Sequence, residues 1–176
     1  MSFDSCFDII GPIMVGPSSS HTAGAVSIGR FVYEWLGNVP EWAEITLYGS
    51  FADTFQGHGT DKAIVGGLLG MDARSHGIRE SQKEAEDMKM NIILNPMTDV
   101  GWDGHPNTAV IKAHLSGQTV IVEGASIGGG LSEIRSLNNE PVHIAIAADA
   151  ALKLIAADFK KRRTDIHDER ANEGYS

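Results

Sequence analysis

The sequence contains very little cysteine and no long run of apolar residues. Cys6 is the only cysteine among 176 residues, and one thiol cannot form an internal disulfide, a zinc site with cysteine partners or the ligand set of an iron–sulfur cluster. No apolar run is long enough to span a membrane, and the N-terminus lacks the basic segment that opens a signal peptide. These absences favour a soluble cytoplasmic protein.

Basic residues are also scarce. The chain has 14 Lys and Arg against 23 Asp and Glu, which gives a formal net charge of −9 at pH 7. A negative surface repels phosphate groups, so nucleic acids and anionic membrane surfaces are excluded as partners. The one basic run, at residues 160–163, follows an Ala-rich helical pattern, and we interpret it as the solvated end of that helix.

Apolar residues are abundant enough for a real core, since 42% of the residues are hydrophobic. Their spacing predicts helices from the serine cluster near residue 20 to Leu36 and from Thr60 to Leu69. Alternating patterns predict strands at residues 44–48, 107–115 and 118–125, a short apolar run predicts one at residues 90–94, and residues 131–137 are a further candidate strand. The segment from Gly49 to Gly59 is predicted to be a loop, and Gly66-Gly67 indicates that something packs closely against the second helix. The expected fold class is α/β (α+β), a mixed sheet with flanking helices.

The composition changes after Pro141. We therefore predict one domain over residues 1–139 and a tail over residues 140–176 that is first helical, from about residue 142 to residue 163, and then disordered. Because this tail lies outside the patterned part of the chain, we expect it to be dispensable to the core.

Three polar clusters stand out at the ends of the predicted elements, where loops usually build functional sites. Each contains a histidine, a threonine and a glycine or proline that shapes the backbone. They are Ser18 to Thr22, Gly57 to Lys62 and Gly104 to Thr108. A lone histidine is usually structural, but three histidines in similarly built loops favour a functional interpretation.

The first cluster precedes an apolar helical run. Its members are Ser18, Ser19, Ser20, His21 and Thr22. A helix N-terminus with free backbone N–H groups and surrounding side-chain donors binds a small anion such as a carboxylate. The alternative is a serine-rich turn that only caps the helix.

The second and third clusters each offer a general base. His58 lies between two glycines, which allow close approach of a substrate, and imidazole is the usual base near neutral pH. Lys62 follows four residues later, a distance of one helical turn, so the two side chains can face the same side. His105 is the second candidate, because Pro106 restrains its backbone while Asn107 and Thr108 add donors. The alternative is that His58 only ends a loop and Lys62 is a surface lysine.

Several other functions lack their required motifs. The sequence has no Gly-x-Gly-x-x-Gly after a strand, no Gly-Lys-Ser/Thr phosphate loop and no Gly-x-Ser-x-Gly nucleophile turn. The triplet Gly128 to Gly130 is too weak a signal for a phosphate site.

The three clusters, in this order, resemble the beta subunit of the iron–sulfur L-serine dehydratases. The similarity covers roughly residues 3–137, and the combination of motifs is specific. The matching segments are Gly16-Pro17-Ser18-Ser19-Ser20-His21-Thr22, Gly49-Ser50-Phe51-Ala52, Gly57-His58-Gly59-Thr60-Asp61-Lys62-Ala63 and His105-Pro106-Asn107-Thr108.

This resemblance implies a lyase that deaminates L-serine to pyruvate and ammonia without pyridoxal phosphate. It further implies a four-iron four-sulfur cluster held by cysteines of a separate alpha chain, so that this chain is inactive alone. The implied fold is similar to the allosteric substrate-binding domain of D-3-phosphoglycerate dehydrogenase. The expected partners are the alpha subunit and L-serine, and a homodimer is left open.

The sequence departs from the family after residue 139. Many family members continue into a regulatory ACT domain, whereas residues 140–176 are too short for one and differ in pattern, so we expect no ACT domain here. Two other functions stay open at this point. One is a regulatory module that binds an amino acid or another carboxylate, and the other is a purely structural interaction domain, which would leave the three polar clusters unexplained.

Overall fold

The computed structural model of the protein describes residues 20–98, 101–147 and 152–161. Its helices are α1 (Ser20–Leu36), α2 (Ser50–His58), α3 (Thr60–Leu68), α4 (Ser81–Asp87) and α5 (residues 152–161), with a short 3₁₀-helix at His76–Glu80. Its strands are β1 (Trp42–Tyr48), β2 (Asn91–Met97), β3 (Thr108–Leu115), β4 (Gln118–Gly128), β5 (Leu131–Leu137) and β6 (Glu140–Ala147).

The strands form one six-stranded sheet in the order β2-β1-β3-β4-β5-β6. Only β1 and β2 run parallel, and the other neighbours pair antiparallel. The parallel pair needs a crossover connection, which α2, α3 and α4 provide. This architecture confirms the predicted α+β fold with a mixed sheet and flanking helices.

The core lies between one face of the sheet and the helices. Along β1, Ala43, Ile45 and Leu47 are fully buried while the residues between them are half-buried. This period of two places one set of side chains under the helices. From the other side α1 contributes Ile28 and Phe31, both fully buried, and α1 packs on β3, β4 and β5.

Helices α1 and α3 approach closely because both carry a glycine at the crossing. A Cβ atom on Gly67 would lie 2.2 Å from the carbonyl oxygen of Val26, and one on Gly29 would lie 2.2 Å from that of Ile64. Real Cβ atoms do not come so close to backbone. The predicted close packing at Gly66-Gly67 is therefore confirmed, with Gly67 as the contact.

Replacing Gly67 with alanine is expected to destabilise the protein by about 1–3 kcal/mol or more, because the new methyl group overpacks the helix crossing. Gly57 in α2 is the matched control, since a Cβ atom there meets nothing within 4 Å. Gly57→Ala is expected to stabilise by about 0.5–1 kcal/mol through helix propensity. Urea unfolding midpoints of both variants test this. Equal effects of the two substitutions would contradict the crossing geometry.

The helix predicted from residue 142 onward is wrong over its first part. Residues Glu140–Ala147 form β6, which pairs with β5 in a hairpin. The two turn residues, Asn138 and Asn139, have φ of 52° and 65°, a conformation that asparagine tolerates. Ile144 and Ile146 are buried in the core. Residues 152–161 are helical as predicted, whereas the tail predicted to be disordered lies outside the described residues.

Two smaller predictions also need correction. The segment from Gly49 to Gly59 is not a loop but the helix α2, because burial of Phe51 and Ala52 outweighs its weak helical propensity. Helix α3 begins at Thr60 as predicted, with Gly59 in the N-cap position. Strand β2 continues through Pro96, which an edge strand tolerates because one side of it makes no ladder bonds.

Within the described ranges, no helix combines the length and apolar character needed to cross a membrane.

Candidate functional site

Helix α1 begins at Ser20, immediately after the serine cluster, as the sequence predicts. Ser18 and Ser19 lie outside the described residues, and so do the side chains of Ser20 and His21. Thr22 is buried, with 8% of its surface exposed. Of the first cluster, the structure therefore describes only the backbone at the start of α1 and the buried residue Thr22.

The first turns of α1 pack against the adjoining ends of β4 and β5. The Ser132 hydroxyl donates a hydrogen bond of 2.9 Å to the carbonyl oxygen of Gly24. A Cβ atom on Gly24 would lie 2.2 Å from Ser126 Oγ, so only glycine allows this approach. Ser126 is fully buried, and its hydroxyl has no hydrogen-bond partner among the described residues. The position of the helix start is therefore set by two buried serines of the sheet.

The same end of β4 also holds the third cluster. The backbone N–H of Ser126 donates to the carbonyl oxygen of Asn107 at 3.0 Å, and Thr108 is the register partner of Ala125. Since Ser126 contacts Gly24 as well, the structure joins the start of α1 and the loop before β3 through one residue of β4.

The loop that carries His105 is held by several interactions of its own. The His105 carbonyl oxygen accepts hydrogen bonds from Trp102 Nε1 at 2.9 Å and from the Thr108 hydroxyl at 2.7 Å. The backbone N–H of Asn107 donates to His105 Nδ1 at 3.2 Å. The Trp102 ring stacks on Tyr48 with 4.1 Å between centroids. Backbone and ring of His105 are both restrained.

Sequence reasoning missed Trp102 and Tyr48. The signal available was a tryptophan three residues before a histidine in a glycine-rich loop. Nothing in the sequence indicates that this ring stacks on the last residue of β1, because the two are far apart along the chain.

The start of α2 contacts the same loop. Gly49 has φ 54° and ψ −132°, and a Cβ atom on it would lie 2.7 Å from the carbonyl oxygen of Pro106. The backbone N–H of Phe51 donates to that oxygen at 3.2 Å. Only glycine combines this backbone conformation with such an approach, so the Gly49 motif and the third cluster form one unit.

His58 lies at the other end of α2. It is exposed, and a helix of this length places it about 12 Å along the axis from Ser50. Gly59 adopts the left-handed conformation, with φ 66° and ψ 29°, and separates α2 from α3. His58 therefore ends α2 and Lys62 lies in the first turn of α3, and that their side chains face the same side stays a prediction.

The second cluster contains a buried carboxylate, Asp61, in the first turn of α3. Asp61 is 8% exposed, and its Oδ2 accepts a hydrogen bond of 2.7 Å from Gln82 Nε2. The neighbouring Ser81 hydroxyl donates to the Lys62 carbonyl oxygen at 2.7 Å. Together these bonds fasten the first turn of α3 to α4, which holds the segment following His58 in place.

The donor set of this chain does not fit an iron–sulfur cluster. Such clusters are held by several cysteine thiolates, whereas the sequence contains Cys6 alone, and Cys6 lies outside the described residues. Within those residues, no group of three or more His, Cys, Asp or Glu side chains could hold a metal ion. The ligands of the cluster that the resemblance implies would have to come from another chain.

Comparison with known proteins agrees with the motifs. The family model described as serine dehydratase beta chain matches residues 5–135. The probable L-serine dehydratase beta chain of Bacillus subtilis is 46% identical over 138 residues, which cover 78% of this chain and 62% of that protein. The L-serine dehydratase beta chain of Peptoniphilus asaccharolyticus is 39% identical over 160 residues, or 90% of this chain and 70% of that one.

The chain belongs to the serine dehydratase beta chain family, and the resemblance inferred from its motifs is confirmed. It also matches longer proteins named L-serine dehydratase. One of them, from Helicobacter pylori, is 31% identical over 161 residues that cover 35% of its length. The chain thus spans 62% of the B. subtilis beta chain and about a third of the longer relative.

Proposed function

We propose that this chain is the beta subunit of an L-serine dehydratase that converts L-serine to pyruvate and ammonia together with an alpha chain. Family membership supports the substrate and the reaction class, and the printed names of two relatives support a division into subunits. In the reaction, L-serine loses the Cα proton and the hydroxyl group as water. The resulting enamine becomes an imine, and water hydrolyses it to the two products.

The observation that carries this proposal is the joining of two polar clusters at one end of the sheet. Ser126 connects the start of α1 with the loop of Asn107 through a backbone hydrogen bond and a contact with Gly24. A helix N-terminus beside a loop of fixed donors suits a carboxylate whose negative charge grows when the Cα proton leaves. A protein that only connects partners has no need of this arrangement.

In this proposal, the first cluster binds the carboxylate of L-serine. Ser18, Ser19, Ser20, His21 and Thr22 lie at or just before the first residue of α1 in the sequence, and Asn107 belongs to the adjoining loop. The Thr108 hydroxyl is already bound to the His105 carbonyl oxygen. Thr108 is therefore proposed to support substrate binding indirectly, by fixing the conformation of the loop.

The base is assigned to His58, with Lys62 at the start of the next helix as a nearby positive charge. His58 is exposed on this chain, so a substrate presented by a partner subunit can reach its ring. The four-iron four-sulfur cluster is assigned to the alpha chain because a single cysteine cannot hold it. This chain contributes substrate binding and proton removal.

Reconstitution tests the proposed division of roles. The purified chain, treated anaerobically with iron and sulfide, is expected to show no cluster absorption and to form no pyruvate from L-serine. Addition of an alpha chain is expected to give both. The matched control is the alpha chain alone, which should bind a cluster but form no pyruvate.

Two results would overturn the proposal. Pyruvate formation by this chain alone would remove the need for an alpha chain. Full activity of the alpha chain alone, with this chain only shifting its dependence on L-serine, would identify the chain as a regulatory amino-acid-binding module.

A further inference from the structure

The hairpin that joins β4 to β5 presents two apolar side chains to solvent. Ile127 and Leu131 lie on either side of its turn and are 46% and 45% exposed. Between them, Gly128, Gly129 and Gly130 have φ of 90°, 62° and 76°. A Cβ atom on Gly128 or Gly129 would meet nothing within 4 Å, so none of the described residues packs against the tip of this turn.

A β-bulge determines the position of Ile127. Ser126 of β4 lies opposite Ser132 of β5. The next pair is Gly128 with Leu131, so Ile127 is an extra residue with no partner in the ladder. Bulges bend a strand and redirect a side chain, and they are common beside functional sites. Because Ser126 is fully buried against α1, the exposed side chain of Ile127 lies next to the candidate site without belonging to the core.

A third exposed apolar residue, Met97, lies at the same end of the sheet and is 37% exposed. Met97 is the register partner of Tyr48, and Tyr48 is the partner of Thr108 at the start of β3. Thr108 in turn lies opposite Ala125, two residues before Ile127. Neighbouring strands lie about 4.8 Å apart, so β2 and β4 are separated by roughly 14 Å. The loop before β3 thus has an exposed apolar side chain on each side of it.

We infer that Ile127, Leu131 and Met97 form the docking surface for the alpha chain, which binds them with an apolar groove. This inference rests on the proposed function, in which the start of α1 binds the carboxylate of L-serine. The first turns of α1 lie against Ser126, and therefore at the same end of the sheet. The single cysteine of this chain makes a second chain necessary. Because L-serine is only a few atoms long, a second chain that acts on its hydroxyl group has to contact this end of the sheet.

The chemistry of the three side chains suits a buried contact. Interface cores are poor in charged groups and rich in methionine, and the burial of partly exposed isoleucine and leucine side chains is favourable through the hydrophobic effect. The glycines of the turn carry no side chains, so a partner can approach their backbone closely. A second copy of this chain, docked here, would close this end of the sheet to the alpha chain. The alpha chain is therefore the occupant that agrees with the proposed function.

Two matched pairs of variants test this surface through the affinity of the full chain for the alpha chain, measured by isothermal titration calorimetry. Leu131→Gln and Met97→Gln are each expected to weaken binding by about 5- to 30-fold, because each places an amide in an apolar contact. The controls are Leu154→Gln and Met88→Gln, at residues that are 70% and 53% exposed. Leu154 lies on α5, and Met88 precedes β2 at the end of the sheet opposite to Met97.

The two control variants are expected to bind the alpha chain as tightly as the wild type does. All four substitutions are at exposed residues, and thermal unfolding midpoints check that each variant is folded. Unchanged affinity of both Leu131→Gln and Met97→Gln would overturn the inference while leaving the proposed function intact. A wild-type chain that binds no alpha chain would refute the proposed function, and the inference with it.

Amide hydrogen exchange of residues 127–131, followed by mass spectrometry, gives a readout that does not depend on any substitution. We expect exchange there to be fast in the full chain alone and to slow when the alpha chain is added. Slow exchange in the chain alone would show that the surface is already covered, by a second copy if dilution removes the protection and by other residues of the same chain if it does not. Either result, or exchange that the alpha chain leaves unchanged, would overturn the inference.

Discussion

Replacing His58 with alanine is expected to lower the turnover of the reconstituted enzyme by about 10²–10⁴-fold, the usual cost of losing a general base. His58 is exposed on the last turn of α2. Its ring is therefore accessible to a substrate that a partner chain presents, and we propose it as the group that accepts the Cα proton of L-serine.

The measurement is pyruvate formation together with exchange of the Cα proton in deuterated solvent. His58→Ala should lose both, and added imidazole should restore part of the exchange. Gln56→Ala is the matched control, because Gln56 is also exposed on α2 and has no assigned role. Near-normal exchange in His58→Ala would move the base to the alpha chain and leave this subunit with substrate positioning alone.

A chain that ends after residue 139 is expected to lose cooperative unfolding. The sequence analysis expects residues 140–176 to be dispensable, but the structure places four of them in the core. They are Ile144, Ile146, Leu152 and Ala156, all less than 9% exposed. Truncating one buried aliphatic side chain costs about 2–5 kcal/mol, and a domain of this size has about 5–15 kcal/mol in total. The free energy of unfolding that is lost with β6 and α5 therefore exceeds the total stability of the fold.

Urea unfolding followed by circular dichroism and tryptophan fluorescence measures this effect. A matched pair of point variants separates the effect of lost core side chains on stability from the effect of a shorter chain. Ile146→Ala is expected to destabilise by about 2–5 kcal/mol, whereas Leu154→Ala, at a residue 70% exposed, should change stability by less than about 0.5 kcal/mol. A sharp unfolding transition of the truncated chain at an unchanged midpoint would show that the first 139 residues fold independently.

The site could be predicted from sequence only as separate pieces. Residues such as His21, His58 and His105 were selected because their neighbours limit the backbone or supply donors, which is local information. Their relative placement depends on Gly24 against Ser126 and on Gly49 against Pro106, contacts between residues far apart along the chain. His58 and Lys62 lie in two successive helices because the left-handed Gly59 ends α2 before α3 begins.

By itself the sequence determined the family, the fold class, most of the strands and the lack of cluster ligands, because motifs, alternation and composition depend on residue order alone. Tertiary structure decided α2, where burial of Phe51 outweighs local propensity, and β6, where pairing with β5 turns an Ala-rich run into a strand. It also decided how the His105 loop is held, since the Asn107 N–H donates to the His105 ring and Trp102 stacks on Tyr48. Local propensity gives helix and strand nearly equal free energies in such segments. Packing and strand pairing with distant segments then select one of the two.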